Sequence, residues 1–286
     1  MNEKSIIRIF KKELNQEIVS IIDKSKGVDQ EVKIVETNNG KFVIKIPHKE
    51  KDKILKEVLA IRLCSEKNIP VPKVFFFNDS LIIESYIEGT DIDDLDTSQE
   101  NFKTIYYEIG KLIKKMHLIK GKKFGSVSKN ILSGNYKSQK DSIQSWILPE
   151  IKRLENTNHY SNEEMNKIRS FFKNNLYILE TKESVLLHSD ITDSNIIIKN
   201  NKVSGFIDFG DLSTGPAMQD FVFMYINHYG DYKFEKLIEG YGEINFKEVQ
   251  FYAFCWMCWL IASKIEKREF DEKYIRMNKL FKKIWF

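Results

Sequence analysis

Cysteine and long apolar stretches are the features that this chain has least of. Three cysteines in 286 residues do not suggest a disulfide framework, so we expect a reducing, cytoplasmic setting. The most apolar stretch, residues 251–262, has twelve residues, too few for a helix that spans a bilayer. Cys255 and Cys258 fall inside it without a second Cys or His pair, which favours core packing over a metal or redox site. The first residues also lack the apolar core of a signal peptide.

The chain also lacks a large excess of one sign of charge, and it has no glycine-rich motif. The net charge is +4, from 45 basic and 41 acidic side chains, and the basic residues are spread too evenly to predict a nucleic-acid partner. No G-x-G-x-x-G is present. A loop at residues 24–30 contains the single glycine Gly27 and could lay backbone N–H groups over phosphates, but it is a weak signal on its own. We therefore expect a cytoplasmic protein with neither a nucleic-acid nor a membrane partner.

The most informative stretch begins at His188. Apolar residues before it predict a strand that leads into a polar loop with His188 and Asp190, and Asn195 follows Asp190 by five positions. Two apolar strands come next, at residues 196–199 and 203–207. They are joined by two asparagines, which tolerate the positive φ of a tight hairpin turn.

A second carboxylate, Asp208, follows the hairpin in the sequence D-F-G. Because the two strands run antiparallel, the start of one lies beside the end of the other, and we expect Asn195 and Asp208 to be neighbours. Mg²⁺ ions that bridge the phosphates of a nucleotide need hard oxygen ligands, which these two side chains can supply. Asp190 can accept the proton of an attacking hydroxyl group.

The spacing H-x-D-x-x-x-x-N followed by D-F-G matches the catalytic-loop and metal-binding signature of protein kinases. Each residue alone would be unremarked, and a hairpin with solvated polar ends is the alternative interpretation. The ordered set, with strands in the right places, predicts a kinase-like phosphotransferase site.

The N-terminal part of the chain predicts a small sheet with one main helix. Strands are expected at residues 17–22, 31–37, 41–46, 73–77 and 81–84. Asn38-Asn39-Gly40 predicts a hairpin turn, and a short amphipathic helix is expected at residues 5–14. The main helix is expected over residues 50–66 and ends at I-P-V-P, since proline cannot continue it.

Lys45 lies on the third predicted strand, and a solvent-facing charge is the ordinary interpretation of a strand lysine. A strand lysine paired with a helix glutamate holds the α- and β-phosphates in kinases, so the later motif reverses that preference. Glu57, near the middle of the following helix, is the expected partner. Glu50 is a rival, but at the helix start an acid merely favours the dipole.

The sequence L-I-I-E-S-Y-I-E-G leaves the predicted sheet and leads to a helical region. Ligands favour such junctions between domains. By analogy with kinases, we place the purine contacts at the carbonyl group of Glu84 and the N–H group of Tyr86. This linker also divides the chain into predicted lobes at residues 1–88 and 89–286.

The C-terminal part predicts a mainly helical lobe. Helices are expected at residues 101–119, 140–155, 162–180, 217–229, 231–241 and 246–266, with another at the C-terminal end. Residues 121–136 predict a loop. His117 extends an apolar helix face and is expected to be a core or capping histidine. Asp220, in an apolar context, is expected to be a buried acid that bonds the backbone of the catalytic loop.

Acidic residues surround the predicted chemistry in sequence. Residues 203–232 contain no lysine or arginine, and Asp208, Asp211, Asp220 and Asp231 fall within them. Such a surround would attract a cationic acceptor in a partly desolvated cleft. An earlier acidic run at residues 81–100 is interpreted as a solvated loop.

These motifs resemble the aminoglycoside phosphotransferase family of antibiotic and small-molecule kinases. H-S-D-I-T-D-S-N, I-D-F-G, I-P-V-P-K-V and E-S-Y-I-E-G carry the resemblance, which covers most of residues 17–225. It implies an α+β, bilobal protein-kinase-like fold, with an N-terminal antiparallel sheet lobe, one main helix and a larger helical lobe. Nucleotide would lie between the lobes, and the helical lobe would bind the acceptor.

Carried over by position, the resemblance makes Asp190 the catalytic base, supported in its loop by His188 and Asp220. Asn195 and Asp208 become the Mg²⁺ ligands. Lys45 would hold the nucleotide phosphates, with Glu57 as its ion-pair partner.

Two departures from the protein-kinase pattern bear on the substrate. Ser189 occupies a position that is commonly glycine in this family and arginine in many protein kinases, so an activating phosphate has no obvious partner. Only nine residues separate Gly210 from Asp220, which leaves no room for a long activation segment. We therefore expect a small-molecule acceptor.

The leading hypothesis is a monomeric kinase that transfers phosphate from ATP or GTP, with Mg²⁺, to a hydroxyl of a cationic small molecule, most plausibly an aminoglycoside. The alternatives are a metabolic kinase for choline, an amino sugar or another alcohol, and a macrolide kinase. A nucleotide-binding pseudokinase is disfavoured, because Lys45, Asp190, Asn195 and Asp208 are all present.

Overall fold

The computed structural model describes residues 2–26, 30–48, 52–128 and 131–286. Gly27 and Glu50, considered above, lie outside the described residues. The chain begins with helix α1 (Glu3–Ile9), which continues as a π-helical turn at Phe10–Leu14. The expected N-terminal helix is therefore present and starts slightly earlier than predicted.

A five-stranded antiparallel sheet forms the N-terminal lobe, in the order β1-β2-β3-β5-β4. Its strands are β1 (Ile18–Lys26), β2 (Gln30–Thr37), β3 (Gly40–Pro47), β4 (Val74–Phe77) and β5 (Ile82–Ser85). The predicted hairpin turn joins β2 to β3, with Thr37 opposite Gly40 and Gly40 at φ +133°. All five strands were expected from the sequence, within a few residues.

Helix α2 (Asp52–Glu66) follows β3, and several of its buried residues join the large hydrophobic core of the C-terminal lobe. The small core of the N-terminal lobe contains Ile6, Phe10, Val35, Phe42, Ile44, Leu81 and Ile83. Leu59 and Ile61 of α2 belong instead to the large core of the C-terminal lobe. Glu57 lies on the same helix and is also buried, at 2% exposure.

The C-terminal lobe is mainly helical. Its helices are α3 (Gln99–Met116), α4 (Gln139–Asn156), α5 (Asn162–Asn174), α6 (Val222–Asn227), α7 (Tyr232–Tyr241), α8 (Phe246–Lys267) and α9 (Glu272–Trp285). Two expected helices are partly 3-10, at Leu176–Glu180 and Ala217–Phe221.

Helix α8 is the buried helix that the apolar stretch at residues 251–262 predicted. Cys255 and Cys258 are free and buried within it, as expected for core packing, and Cys64 is buried too. His117 caps α3 and is buried, which confirms its expected structural place. Over the described parts of the chain, no helix combines the length and the apolar character that a membrane crossing needs.

Two small sheets complete the C-terminal lobe. One has the order β11-β10-β6, built from β6 (Thr90–Asp91), β10 (Ile196–Lys199) and β11 (Lys202–Phe206). The other has the order β8-β7-β12-β9, built from β7 (Phe124–Val127), β8 (Gly134–Tyr136), β9 (Val185–Leu187) and β12 (Ser213–Gly215).

Strands β7 and β8 fall where a loop was expected, and β6 and β12 were also missed. Each has two to four residues, which is too short for an alternating pattern to be recognised.

The linker after β5 meets the C-terminal lobe at Gly89. This residue has φ +139°, and a Cβ atom there would lie 2.3 Å from the carbonyl oxygen of Ile198 on β10. Only glycine allows so close an approach of two backbones. We propose that the boundary between the lobes falls here, between residues 88 and 89.

Candidate active site

The hairpin of β10 and β11 brings Asn195 and Asp208 together. Ile196 pairs with Phe206 in the ladder, and the N–H group of Ile207 donates to the carbonyl oxygen of Asn195 at 3.0 Å. Asp208 comes directly after Ile207, in the left-handed region at φ +65°. The turn is made by Asn200 and Asn201 at φ +53° and +58°, as the sequence predicted.

Asp190 is hydrogen-bonded to Asn195. The side-chain nitrogen of Asn195 donates to the carbonyl oxygen of Asp190 at 2.9 Å and to its Oδ2 at 2.8 Å. Burial raises the pKa of the Asp190 carboxyl above its usual range, and the nearby charges of Asp208 and Asp211 add to the rise. His188 and the bond from Asn195 oppose it. A carboxylate with a raised pKa is a better proton acceptor.

His188 connects the catalytic loop to the end of β11. Its Nε2 lies 3.0 Å from the carbonyl oxygen of Ile207, and its Nδ1 accepts the N–H group of Asp190 at 3.3 Å. A carbonyl can only accept, so Nε2 of the ring is the donor in this hydrogen bond. The fully buried ring thereby ties the backbone of Asp190 to the residue before Asp208.

Asp220 fixes the backbone of the same loop through hydrogen bonds. Its two oxygens accept the N–H groups of His188 and Ser189 at 2.9 and 2.8 Å. His117 Nε2 lies 3.1 Å from the same carboxylate, and His117 Nδ1 lies 3.0 Å from the hydroxyl of Tyr241. Two backbone bonds and a side-chain partner satisfy a carboxylate that is only 2% exposed.

Ser189 has the left-handed φ of +70°. Glycine adopts this conformation without cost because it has no Cβ atom, so glycine would fit the backbone at this position well. Ser189 Oγ lies 2.6 Å from Ser213 Oγ of β12.

Lys45 lies between two buried carboxylates. Its ammonium group is paired with Glu57 of α2, and Glu84 Oε2 of β5 is 3.4 Å away. Burial opposes the charge of Lys45, but Glu57, Glu84 and Asp208 outweigh it and raise the pKa of the amine. Burial also raises the pKa of Glu57, to about 8, and that of Glu84.

The structure changes the predicted purine contacts. The N–H group of Tyr86 already donates to the carbonyl oxygen of Lys41 at 3.2 Å. Hydrogen-bonded pairs alternate along an antiparallel ladder, so the carbonyl of Glu84, opposite Val43, also faces β3. The main-chain groups predicted to contact the purine therefore face β3 in this structure, and the sequence pattern could not show which edge of β5 they face.

The side chain of Glu84 points to Lys45 instead. It is 1% exposed, and its Oε1 has no hydrogen-bond partner among the described residues. The main-chain groups of the alternate residues, Ser85 and Ile87, face the opposite edge of the strand from those of Glu84 and Tyr86.

Two cavities lie on either side of the Asp190–Asn195 hydrogen bond. The first, of about 490 Å³, is lined by Lys45, Glu84, Asn195 and Asp208, with apolar walls from β2, β3 and β10. The second, of about 430 Å³, is lined by Asp190 and by residues from α4, α6, α8 and the β7-β12 region. The pair of hydrogen-bonded side chains is thus the place where the two spaces meet.

The acidic residues expected around the acceptor are spread over several places in the lobe. Of these, only Asp211 lines the second cavity among the described residues. Asp220 is buried under the loop, and Asp231 caps α7 by accepting the N–H group of Lys233. Residues near in sequence fold away from each other here, because α7 packs against α3.

Sequence reasoning missed the aromatic walls of the second cavity, which come from Tyr136, Trp146, Phe223 and Trp256. Trp256 stands inside the C-x-x-C stretch, where helical spacing in an apolar run indicated only core. No local signal separates a tryptophan that faces a cavity from one that faces the core.

Asn195 and Asp208 fit a hard divalent cation. The side-chain N–H group of Asn195 donates to Asp190, which leaves the side-chain oxygen of Asn195 for another partner. Asn195 and Asp208 both line the first cavity. Asp208 Oδ1 accepts a hydrogen bond from Gln30 Nε2 at 3.1 Å, so Oδ2 of the same carboxylate can bind the metal ion. The described residues contain no group of three His, Cys, Asp or Glu that could hold a metal alone. The two oxygen ligands Asn195 and Asp208 match the way Mg²⁺ is bound, through one or two protein ligands together with substrate phosphates.

A family model described as the phosphotransferase enzyme family matches residues 22–254, well over half of the chain. The chain belongs to this family. It is a phosphotransferase that acts on a hydroxyl acceptor, and a small-molecule kinase in the broad sense. The predicted family, the bilobal α+β fold class and the predicted type of enzyme are confirmed.

The solved structures of similar shape include aminoglycoside phosphotransferases. The crystal structure of APH(4)-Ia has a TM-score of 0.75 at 14% identity and covers 98% of this chain and 99% of its own. The gentamicin complex of APH(2")-IIa has a TM-score of 0.68 at 20% identity, with 98% and 96% coverage. ADP-bound APH(2'')-Ib has a TM-score of 0.68 at 19% identity, with 98% and 97% coverage. A comparison with curated protein sequences gives no significant match.

Proposed function

We propose that this phosphotransferase moves the γ-phosphate of a purine nucleoside triphosphate to a hydroxyl group of a cationic amino-sugar compound of the aminoglycoside type. Asp190 would be the catalytic base. Lys45 would bind the nucleotide phosphates, held in place by Glu57. His188 and Asp220 would support the catalytic loop, and the protein would act as a cytoplasmic monomer without a nucleic-acid partner.

The observation that carries the proposal is the hydrogen bond between Asp190 and Asn195 at the junction of two cavities. A donor and an acceptor molecule must approach within bonding distance of each other, and only a shared border between their sites permits this. The base faces one cavity, and the amide faces the other.

Asn195 and Asp208 would hold Mg²⁺, which when bound would neutralise negative charge that develops on the phosphates. The acceptor oxygen would attack the γ-phosphorus in line, the bond from that phosphorus to the bridging oxygen would break, and the nucleoside diphosphate would leave. Asp190 would orient the acceptor hydroxyl and take its proton. Lys45 would fix the other phosphates by charge-assisted hydrogen bonds.

The base of the nucleotide would lie against the apolar walls of the first cavity, with its edge toward the carbonyl group of Ser85 and the main-chain groups of Ile87. The N–H group of Ser85 already donates to the carbonyl oxygen of Lys73 at 2.8 Å. ATP and GTP are both candidates. ATP is favoured by analogy with similar folds, since APH(4)-Ia was solved with AMP-PNP and APH(2")-IIa with ATP.

The choice of acceptor also draws on the similar folds. APH(4)-Ia was solved with hygromycin B, and APH(2")-IIa with gentamicin and with streptomycin. A second candidate is a metabolic kinase for choline, an amino sugar or another small alcohol, or a macrolide kinase. The aromatic walls of the second cavity favour it, because they suit one cationic or ring-shaped group better than several separate charges.

The test is Mg²⁺-dependent nucleotide turnover with ATP or GTP, measured against aminoglycosides, macrolides, choline and simple sugars. We expect acceptor-stimulated release of nucleoside diphosphate with at least one amino-sugar compound, and mass spectrometry should find that compound heavier by one phosphate. Absence of Mg²⁺-dependent nucleotide binding would contradict the proposal as a whole. Turnover of choline or a macrolide alone would replace the acceptor and leave the kinase chemistry standing.

A further inference from the structure

Three aromatic rings form a continuous wall in the cavity beside Asp190. Trp146 of α4 and Trp256 of α8 have ring centroids 5.9 Å apart, and Phe223 of α6 lies 5.1 Å from Trp256. All three rings are partly exposed in the cavity, and Tyr136 of β8 lines another side. Apolar rings left open to a cavity are a binding surface for the face of a ring or for a cation.

The polar part of the lining consists mainly of neutral groups. Five serines line the cavity, namely Ser126, Ser142, Ser145, Ser189 and Ser213. Ser189 and Ser213 share a hydrogen bond and Ser145 donates to a backbone carbonyl, so these three hydroxyls would bind a sugar with their remaining donor or acceptor capacity. Gln219 adds an amide. Hydroxyl and amide groups can exchange hydrogen bonds with the hydroxyls of a sugar, since each can donate and accept.

Charge in this cavity is nearly balanced. Among its described lining residues, Asp190 and Asp211 are the carboxylates and Lys56 is the cation. Lys56 is only 8% exposed, and Asp211 lies 3.3 Å from the ammonium group of Lys53. Asp190 is assigned to the acceptor hydroxyl. Little negative charge is left to bind several ammonium groups at once.

We infer that this cavity holds a hydroxylated ring with a single ammonium group, bound by Trp146 and Trp256 and by serine hydroxyls. The inference rests on the proposed function and narrows its acceptor class. Recognition of the reacting ring comes from stacking and neutral hydrogen bonds. Pairing of many charges contributes little.

Replacing Trp256 tests the wall. In Trp256→Ala we expect the acceptor KM to rise about tenfold, because a ring contact is lost, with kcat for the bound acceptor and nucleotide affinity little changed. Trp256→Phe keeps a ring and should restore most of the affinity, which separates loss of stacking from misfolding. Phe246→Ala, at the exposed start of the same helix, is the matched control and should leave the acceptor KM unchanged.

Ionic strength tests the charge balance. When the salt concentration rises from about 50 to 200 mM, we expect kcat/KM for the acceptor to fall by no more than about twofold. One ammonium group contributes a single electrostatic interaction that salt can screen. The test extends to compounds that are not turned over. Binding of glucosamine and of gentamicin can be monitored by the quenching of tryptophan fluorescence.

An unchanged acceptor KM in Trp256→Ala, a fall of more than about tenfold with salt, or the absence of amino-sugar binding would each overturn the inference. None of these outcomes touches the nucleotide site. Failure of the proposed function is recognised separately, as loss of Mg²⁺-dependent nucleotide binding in the wild-type protein.

Discussion

The two cavities beside Asp190 are lined by chemically different side chains. The nucleotide side concentrates charge: Lys45 lies between two buried carboxylates, and Asp208 is close enough to raise the pKa of the amine. The acceptor side has aromatic rings and serine hydroxyls, with nearly balanced charge. A triphosphate needs fixed charges wherever it binds, whereas the acceptor side carries the specificity and is free to vary.

The two sides also differ in how the chain builds them. Asn195 and Asp208 come from one hairpin, so the pairing of two strands is enough to set them side by side. The acceptor side takes its rings from α4, α6, α8 and β8, which lie more than one hundred residues apart at the extremes. Only the packing of the whole C-terminal lobe brings them together.

Among the variants that compare the two sides, the largest effect is expected from Asp208→Asn, which removes one negative charge from the nucleotide side. We expect turnover to fall by about a thousandfold, because a weakened metal site loses several kcal/mol of transition-state stabilisation. The Mg²⁺ concentration for half-maximal rate should rise in the residual activity. Steady-state kinetics over a Mg²⁺ titration measures both.

Asp211→Asn is the matched control for Asp208→Asn, since it removes a carboxylate from the acceptor side of the same loop. Its Mg²⁺ requirement should stay that of the wild type. If the two variants shifted the Mg²⁺ requirement equally, the separation into a charged and a neutral side would be wrong.

A smaller effect is expected from Lys45→Met, which leaves Glu57 and Glu84 buried without their counter-charge. We expect kcat/KM for the nucleotide to fall by about tenfold to a hundredfold through lost phosphate contacts. The folded protein should also lose up to about 3–5 kcal/mol of stability near neutral pH. The pKa values of the two acids would rise further, so this loss should grow as pH rises and shrink as pH falls.

Denaturant unfolding at several pH values measures this dependence. Lys45→Met combined with Glu57→Gln should recover part of the stability without recovering turnover. A stability loss in Lys45→Met that did not vary with pH would indicate lost packing and would contradict the charge-based explanation.

The smallest expected effect is a shift in pH dependence. Asp190 must be ionised to accept a proton, so kcat should fall as pH drops through its pKa. Because burial raises that pKa, the acid limb should lie above the range of an ordinary Asp, about 3.9. Asp211→Asn removes a charge that adds to the rise and should move the limb toward lower pH. A limb that moved upward would contradict the assignment to Asp190.

The sequence predicted what depends on neighbouring strands and clear turn residues. The hairpin with Asn200-Asn201 and the place of Lys45 beside Glu57 follow from strand pairing and helix spacing. The direction of the Tyr86 N–H group was not predictable, because an apolar run does not show which edge of a strand its main-chain groups face. Closeness in sequence also does not show where an acid lies, since Asp220 bonds the loop backbone and Asp231 caps a helix.

The acceptor wall was beyond prediction for a related reason. Trp146 and Trp256 lie on helices with many apolar residues, and helical periodicity assigns all of them to one core. Their partial exposure arises only where three helices leave a gap beside β7 and β12. A feature that depends on the space between elements has no signature within any one of them.

The most direct test of the account is Asp190→Ala, with turnover and nucleotide affinity measured on the same folded preparation. Since Asp190 faces the acceptor cavity and Asn195 the nucleotide cavity, turnover should fall by about a hundredfold to ten-thousandfold. The Kd for Mg²⁺-nucleotide, measured by calorimetry, should stay within about twofold of the wild type. Turnover that survived the substitution, or an equal loss of turnover and nucleotide binding, would contradict the claim that Asp190 is the base at the border of the two sites.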